Sequence, residues 1–223
     1  MSFPAAIMIF AAGRGTRMGR TDVPKPLVEV AGRPLIDHAL DLADAAGVPR
    51  RVANTHHLPD ALEARLAARG VVVVREPELL DTGGGLVNAR PALGPGPVLT
   101  LNADAAWRGP DPIAALRRAW KGEGGLLLLV PQGAARGRVA PGDFAIGPGG
   151  RLAPDGPFVY TGLQVLGADA VEDLPEGGAF SMWTIWKRLL ARGALRGVIW
   201  DGAWCDVGTP AGIAAAEEML GRG

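Results

Sequence analysis

Between Phe10 and Pro26 the chain reads Phe-Ala-Ala-Gly-Arg-Gly-Thr-Arg-Met-Gly-Arg-Thr-Asp-Val-Pro-Lys-Pro. It follows the apolar run Ala5–Phe10, which has the composition of a buried first strand. A glycine-bearing turn after a strand lets backbone N–H groups approach an anion closely, here at Gly13 and Gly15. Arg14, Arg17 and Lys25 add positive charge. Only three lysines occur among 23 basic residues, so an ammonium set between two prolines fits a dedicated contact to phosphate better than generic surface charge. The chemistry suggested is binding of a nucleoside triphosphate. Neither of the commoner phosphate loops is present: Gly15 is followed by Thr16-Arg17 rather than the Lys-Ser/Thr of a Walker loop, and Met18 stands where a dinucleotide fingerprint needs its third glycine.

Two carboxylates could complement that loop. Asp104 ends the run Val98–Asp104, and ligands of open α/β sheets bind beyond the carboxyl ends of the strands. A carboxylate there can hold Mg²⁺ against phosphate oxygens. Asp206 lies in Gly202–Pro210, where a strand passes into a helix capped by Thr209; whether it meets Asp104 is not readable from spacing. Asp201 reads as part of an Asp-Gly turn. Asp81-Thr82-Gly83-Gly84-Gly85 precedes a helix, its three glycines leaving room for a flat ligand against the backbone. Tyr160-Thr161-Gly162 offers a hydroxyl and exposed backbone for sugar hydroxyls. His56 and His57 lack a third partner at metal-ligand spacing and read as loop or packing residues. Cys205 lacks a histidine partner for nucleophilic work, and Trp183, Trp186 and Trp204 read as packing.

The elements that must position these residues alternate. Strands are expected at Leu27–Val30, Arg51–Thr55, Val71–Val74, Pro97–Asn102, Leu126–Val130, Phe158–Leu166 and Ala194–Trp200. Helices are expected over Pro34–Ala46, Pro59–Ala68, Gly84–Arg90, Asp111–Lys121, Trp183–Arg192 and Pro210–Leu220. This predicts an α/β fold, doubly wound around a mostly parallel sheet. The glycine- and proline-rich stretch from Gly133 to Pro157 breaks the alternation and reads as a small insertion in a single domain spanning residues 1–223. Hydrophobic residues make up 48% and charged residues 21% of the 223, with 23 basic and 23 acidic side chains. Zero net charge argues against a nucleic-acid or anionic-membrane binder. One cysteine excludes an intrachain disulfide framework, and no apolar run approaches the roughly 20 residues of a bilayer span. A cytoplasmic location is the expectation.

Ala11-Ala12-Gly13, Gly15-Thr16-Arg17-Met18, Pro24-Lys25-Pro26-Leu27 and Val30–Ile36, followed by Asp81–Gly85, Asn102–Asp104 and Asp206–Pro210, together resemble the signature of the sugar-1-phosphate nucleotidyltransferases. The resemblance covers most of the chain and implies a Rossmann-like nucleotidyltransferase fold with a sugar-binding insertion. The triple glycine, short length and closing Asp-Val-Gly-Thr-Pro look most like its uridylyltransferases of cell-wall recycling. The implied partners are UTP and a sugar 1-phosphate, and the implied cofactor is Mg²⁺ on Asp104 and Asp206. The resemblance gives Arg14, Lys25 and Asp104 to catalysis. It places Ala11, Ala12, Gly13, Gly15, Thr82, Gly83 and Asn102 around the nucleotide, with Thr161 and Gly162 expected at the sugar. Two departures stand out. Gly19–Val23 is shorter than the family's connection, and Ala103 replaces a usual glycine. A guanylyltransferase for mannose 1-phosphate, a cofactor cytidylyltransferase and a non-catalytic nucleotide-sugar sensor are the alternatives at this stage.

Overall fold

The computed structural model describes residues 2–19, 22–172, 174–175 and 177–221; Arg20 and Thr21, within the shortened connection, lie outside them. The chain opens with β1 (Ala6–Phe10), whose alternating side chains supply both faces of a sheet. Two one-turn 3₁₀ helices, Thr16–Met18 and Lys25–Leu27, carry the glycine loop and the lysine. A short hairpin of β2 (Glu29–Val30) and β3 (Arg33–Pro34) leads into α1 (Leu35–Ala45). Of the strand expected over Leu27–Val30 only Glu29–Val30 forms, and Pro34 belongs to the hairpin rather than the helix, with an extended ψ of 142°. There follow β4 (Arg50–Thr55), α2 (Pro59–Ala68), β5 (Val72–Arg75), α3 (Asp81–Leu93), β6 (Val98–Asn102), β7 (Ala105–Arg108) and α4 (Pro112–Ala119). Asp111 caps α4 by accepting from the N–H groups of Ile113 and Ala114. The second half adds β8 (Gly125–Pro131), β9 (Ala135–Arg136), β10 (Phe144–Ile146), β11 (Leu152–Pro154), β12 (Phe158–Leu166), α5 (Ala168–Val171), α6 (Met182–Ala191), β13 (Leu195–Ile199), β14 (Ala203–Asp206) and α7 (Pro210–Leu220).

The main sheet runs β5-β4-β1-β6-β12-β8-β13. β1 is parallel to β4 and β6, β4 to β5, and β8 to β13. Only β12 in this row runs against its neighbours. The sheet is therefore mostly parallel, as the alternation of elements required. The 133–157 stretch is drawn into the main sheet and a three-stranded one: the β10–β11 hairpin pairs onto the start of β12, while β9 joins β14 and β7.

Strand alternation divides the core. Ile7, Ile9, Leu99 and Leu101 face α1, α2 and α4 through Ile36, Leu40, Leu66 and Leu116. Ala6, Met8 and Val98 face α3 and α6 through Leu86, Ile185 and Leu189. A third cluster, including Met18, Leu35, Ala106 and Val207, sits beneath the small sheet. With both faces covered, the parallel strands place most of their polar groups at or near their ends, with Thr100 of β6 buried between. Phe10, Asn54 and Asn102 mark one such edge, and the reversed β12 brings its beginning, not its end, to the same side. No helix among the described residues is long and apolar enough to cross a membrane.

Candidate functional site

Three adjoining cavities open along this edge, and Phe10 lines all of them. The first, about 240 Å³, is walled by Ala11, Gly13, Gly15, Thr16, Arg17, Lys25, Ala103 and Asp104, with Gly208 closing it. Gly15 has φ 64°, and a side chain there would press on Lys25 Cβ at 2.8 Å. Only glycine both makes this turn and lets the lysine stem lie against it. Lys25 is consequently 8% exposed, and its Nζ donates to Asp104 Oδ2 at 2.6 Å. Arg14 is exposed and lines none of the three cavities, whereas Arg17 lines the first. Of the loop's two arginines, Arg17 is the one that lines this cavity.

Asp104 and Asp206 are brought together by the small sheet. Asp206 pairs with Ala105 in the β7–β14 ladder, and Val207 donates its N–H to the Asp104 carbonyl at 2.8 Å. Burial holds the Asp206 carboxyl above the ordinary carboxylate range, and the Asp104 charge pushes it further; Lys25, Arg17 and Arg138 pull it back. The two carboxylates are close enough for the Asp104 charge to raise Asp206, while Lys25 is paired with Asp104. No group of three or more histidine, cysteine or acidic side chains suited to a metal occurs among the described residues. A two-carboxylate set completed by ligand phosphate oxygens is the pattern Mg²⁺ accepts. Ala103, the departure from glycine, turns its methyl into the buried cluster beneath β1 and donates its N–H to the Phe10 carbonyl. Cys205 is buried with its thiol pushed up to about 11, chiefly by burial, which keeps it protonated and unsuited to nucleophilic attack.

The second cavity, about 320 Å³, is lined by Ala12, Gly13, Asn54, Glu76, Leu79, Asp81, Thr82, Asn102 and Asp104. Asn54 accepts from the Ala11 N–H at 2.9 Å and donates to Glu76 Oε1 at 2.7 Å, while the other Glu76 oxygen accepts from Leu80 N–H at 3.1 Å. This buried chain fixes the glycine loop to the start of α3. Neither Asn54 nor Glu76 is among the sequence expectations, although Asn54 is a polar strand-end residue like Asp104. Asp81 adopts φ 57°, a region aspartate tolerates better than most residues, and its carboxylate accepts from Thr82 N–H.

The glycine triplet corrects one expectation. It lies within α3, not before it, and Gly83 lines none of the cavities. Gly83 and Gly84 both donate to the Phe180 carbonyl, and a side chain at Gly83 would strike the Phe180 ring, one at Gly84 the Gly178 carbonyl, and one at Gly85 the Glu76 carboxylate. The space is filled by the chain itself. Thr82 does reach the cavities, its hydroxyl accepting from Met182 N–H at 3.0 Å.

The third cavity, about 230 Å³, is lined by Thr82, Asn102, Tyr160, Gln164, Ser181, Met182, Trp183 and Trp186. Thr161 is corrected here: it is 1% exposed and its hydroxyl donates to the Leu128 carbonyl at 2.9 Å, so strand alternation turns it into the sheet while Tyr160 faces the cavity. Gly162 sits where the β12–β8 register shifts, with φ 86°, and a side chain there would meet Asn102 Cβ at 2.9 Å. It makes room for Asn102 rather than lining the space. Trp204 is packing as expected, but Trp183 is 37% exposed at the cavity wall.

Residues 7–192 match the MobA-like NTP transferase domain. The chain is 38% identical over 97% of its length to a protein named N-acetylmuramate alpha-1-phosphate uridylyltransferase from Caulobacter vibrioides, covering 97% of that protein. It is 30% identical over 96% of its length to a protein of the same name from Neisseria meningitidis serogroup B, again covering 97%. The fold superposes on the inositol-1-phosphate CTP transferase from T. maritima with a TM-score of 0.80, at 18% identity and over 98% of this chain and 96% of the other.

Proposed function

The chain belongs to the sugar-1-phosphate nucleotidyltransferases built on a MobA-like NTP transferase domain, and from that premise we propose that it joins UTP to N-acetylmuramate α-1-phosphate with the aid of Mg²⁺, releasing pyrophosphate. The observation that carries this reading is the set of Lys25, Asp104 and Asp206 between a glycine loop and a second cavity of nucleoside size. The two full-length relatives favour uridylyl transfer to a muramyl acceptor. That chemistry would serve the reuse of cell-wall amino sugars in the cytoplasm, where nucleoside triphosphates are made.

In the proposed reaction an oxygen of the acceptor phosphate attacks the α-phosphorus of UTP. The new P–O bond forms as the bond from the α-phosphorus to the bridging oxygen breaks, and that electron pair leaves with pyrophosphate. No covalent enzyme intermediate is needed, so the protein's work is positioning and charge stabilisation. Backbone N–H groups of Gly13 and Gly15 would hold the phosphates, while the Ala11 N–H, taken by Asn54, holds the loop in place. Lys25 and Arg17 would face the charge gathering on the leaving pyrophosphate, with Arg14 available from the same exposed turn. Asp104 and Asp206 would hold Mg²⁺, which when bound supplies positive charge beside the phosphate oxygens. Ala12, Asp81 and Thr82 would meet the base and ribose, with Asn102 between nucleotide and sugar and Gly162 behind it.

Both Glu76 oxygens are already engaged by Asn54 and Leu80, which leaves that carboxylate poorly placed to bind guanine N–H groups. The direct test is pyrophosphate release from UTP with muramyl, glucosaminyl, glucosyl and mannosyl 1-phosphates in turn. Turnover is expected with N-acetylmuramate α-1-phosphate and Mg²⁺; no release with any of the four would refute the proposal.

A further inference from the structure

Resting on that reading, we infer that the third cavity is an aromatic acceptor pocket in which Trp183 holds the sugar through an uncharged acyl substituent, making Trp183 a specificity-determining residue. The cavity shares Phe10, Thr82 and Asn102 with the second one, so a molecule in it would lie directly beside a bound nucleotide. Its chemistry is narrow. The ring-bearing walls are Phe10, Tyr160, Trp183 and Trp186, and no lysine, arginine, aspartate or glutamate is among its lining residues. Gln164 also lines it, yet its amide is spent: Nε2 donates to Thr100 Oγ1 at 3.0 Å, and Oε1 accepts from Trp186 Nε1 at 2.8 Å. The hydroxyls of Thr82 and Ser181 accept from Met182 N–H and Trp183 N–H, and Thr82 donates to Asp81 Oδ1 at 3.3 Å. What remains for a ligand is mostly apolar surface with Asn102 at one end and the Ser181 O–H as a donor.

The wall is also held rigidly. Trp186 stands edge-on to Tyr160 at 4.9 Å and to Phe144 at 5.6 Å, and is 6% exposed. Trp183, in the first turn of α6, leans on Phe144 at 5.5 Å and on Trp186 at 5.2 Å but keeps 37% of its surface open. A large ring exposed over a cavity and braced on one side is a pre-ordered platform, needing little further ordering to bind. With no cation in the cavity, the platform does not read the acid of a muramyl group. It reads the feature that muramyl and glucosaminyl acceptors share when acetylated and that glucose lacks.

The pocket is tested by titrating intrinsic tryptophan fluorescence with N-acetylglucosamine 1-phosphate, glucosamine 1-phosphate and glucose 1-phosphate, using the full chain and its Trp183→Phe and Trp183→Ala variants. The acetylated sugar should bind about tenfold tighter than the other two, the scale of discrimination an apolar pocket gives for a small group. Trp183→Ala should erase that preference and raise the acceptor KM by about tenfold, with the KM for UTP unchanged and the preference retained in Trp183→Phe. Isothermal calorimetry on Trp183→Ala replaces the lost fluorescence signal. Equal affinity for all three sugars in the unaltered protein, or an unchanged preference in a folded Trp183→Ala variant, would overturn the pocket assignment. Because binding is read without turnover, an acetyl preference lost in Trp183→Ala would support the pocket even if no acceptor released pyrophosphate, and in that case only the uridylyl-transfer reading would fall.

Discussion

Asp206 is a carboxylate kept against its own preference. Its folded pKa is raised, first by burial and then by Asp104, so the folded chain binds that proton more tightly than the unfolded chain does. Stability therefore falls as pH rises from the ordinary value of 3.8 through the raised one, and the cost persists at neutral pH. Asp206→Asn is expected to raise the thermal midpoint at pH 8 and flatten its decline above pH 4, while lowering kcat by roughly 10²-fold or more. Asp104→Asn should show a similar loss of turnover; here the Lys25 ion pair goes too, so no gain in stability is expected. Melting curves against pH, paired with pyrophosphate release, separate the two variants, and normal turnover by either would remove that carboxylate from the metal role. At this scale the sequence was most informative about charge and least about partnership. Asp104 and Lys25 could each be singled out from local pattern, but their 2.6 Å contact, and the approach of Asp206, depend on a small sheet assembled from distant segments. Arg14 and Arg17 could not be ranked from spacing, since the turn at Gly15 decides which one faces inward.

Among the elements, the joint between the starts of α3 and α6 matters most. Leu80, Thr82, Gly83 and Gly84 all bond to the Phe180–Met182 stretch, so the segments lining the second and third cavities are fastened to one another. The glycines were legible as sites of close approach, but what approaches was not: the need for space is a property of the glycine, and its occupant is a property of the fold. A comparison of two glycines makes this measurable. Gly84→Ala would press a methyl on the Gly178 backbone, which cannot swing away as a side chain can, and should cost about 1–3 kcal/mol in denaturant unfolding. Gly13→Ala meets nothing within 4 Å, so stability should be unchanged while UTP affinity falls, because Gly13 lines both cavities proposed to hold the nucleotide. Equal stability of the two variants would contradict this division. The strand and helix alternation itself was readable almost throughout, because buried strands and amphipathic helices carry different periods. Strand direction was not, since an apolar run such as Phe158–Leu166 reads the same either way.

For the whole molecule, zero net charge means that triphosphate binding depends on the local cluster at Lys25 and Arg17 rather than on a long-range field. Binding should register as a gain in global stability. At about 100 times its Kd, UTP with Mg²⁺ should add roughly 2.7 kcal/mol, a rise in Tm of roughly 5–10 °C for a chain of this size. GTP, CTP and dTTP at the same concentration should give smaller shifts, and equal shifts from all four would exclude selection for uracil.

The reversed direction of β12 carries a consequence for how such a protein can change over time. A parallel strand reaches the ligand edge at its end, and whatever follows it is committed to a crossing helix. β12 instead arrives there at its beginning, preceded by the β10–β11 hairpin, and buries its far half, Leu163–Leu166, in the sheet. Insertions and deletions in that hairpin can therefore re-aim Tyr160 and its neighbours without disturbing β1, β4 or β6, which hold the glycine loop, Asn54 and Asn102. Descendants of one ancestral enzyme could exchange acceptor sugars by lengthening or trimming a single exposed turn while inheriting the triphosphate machinery intact.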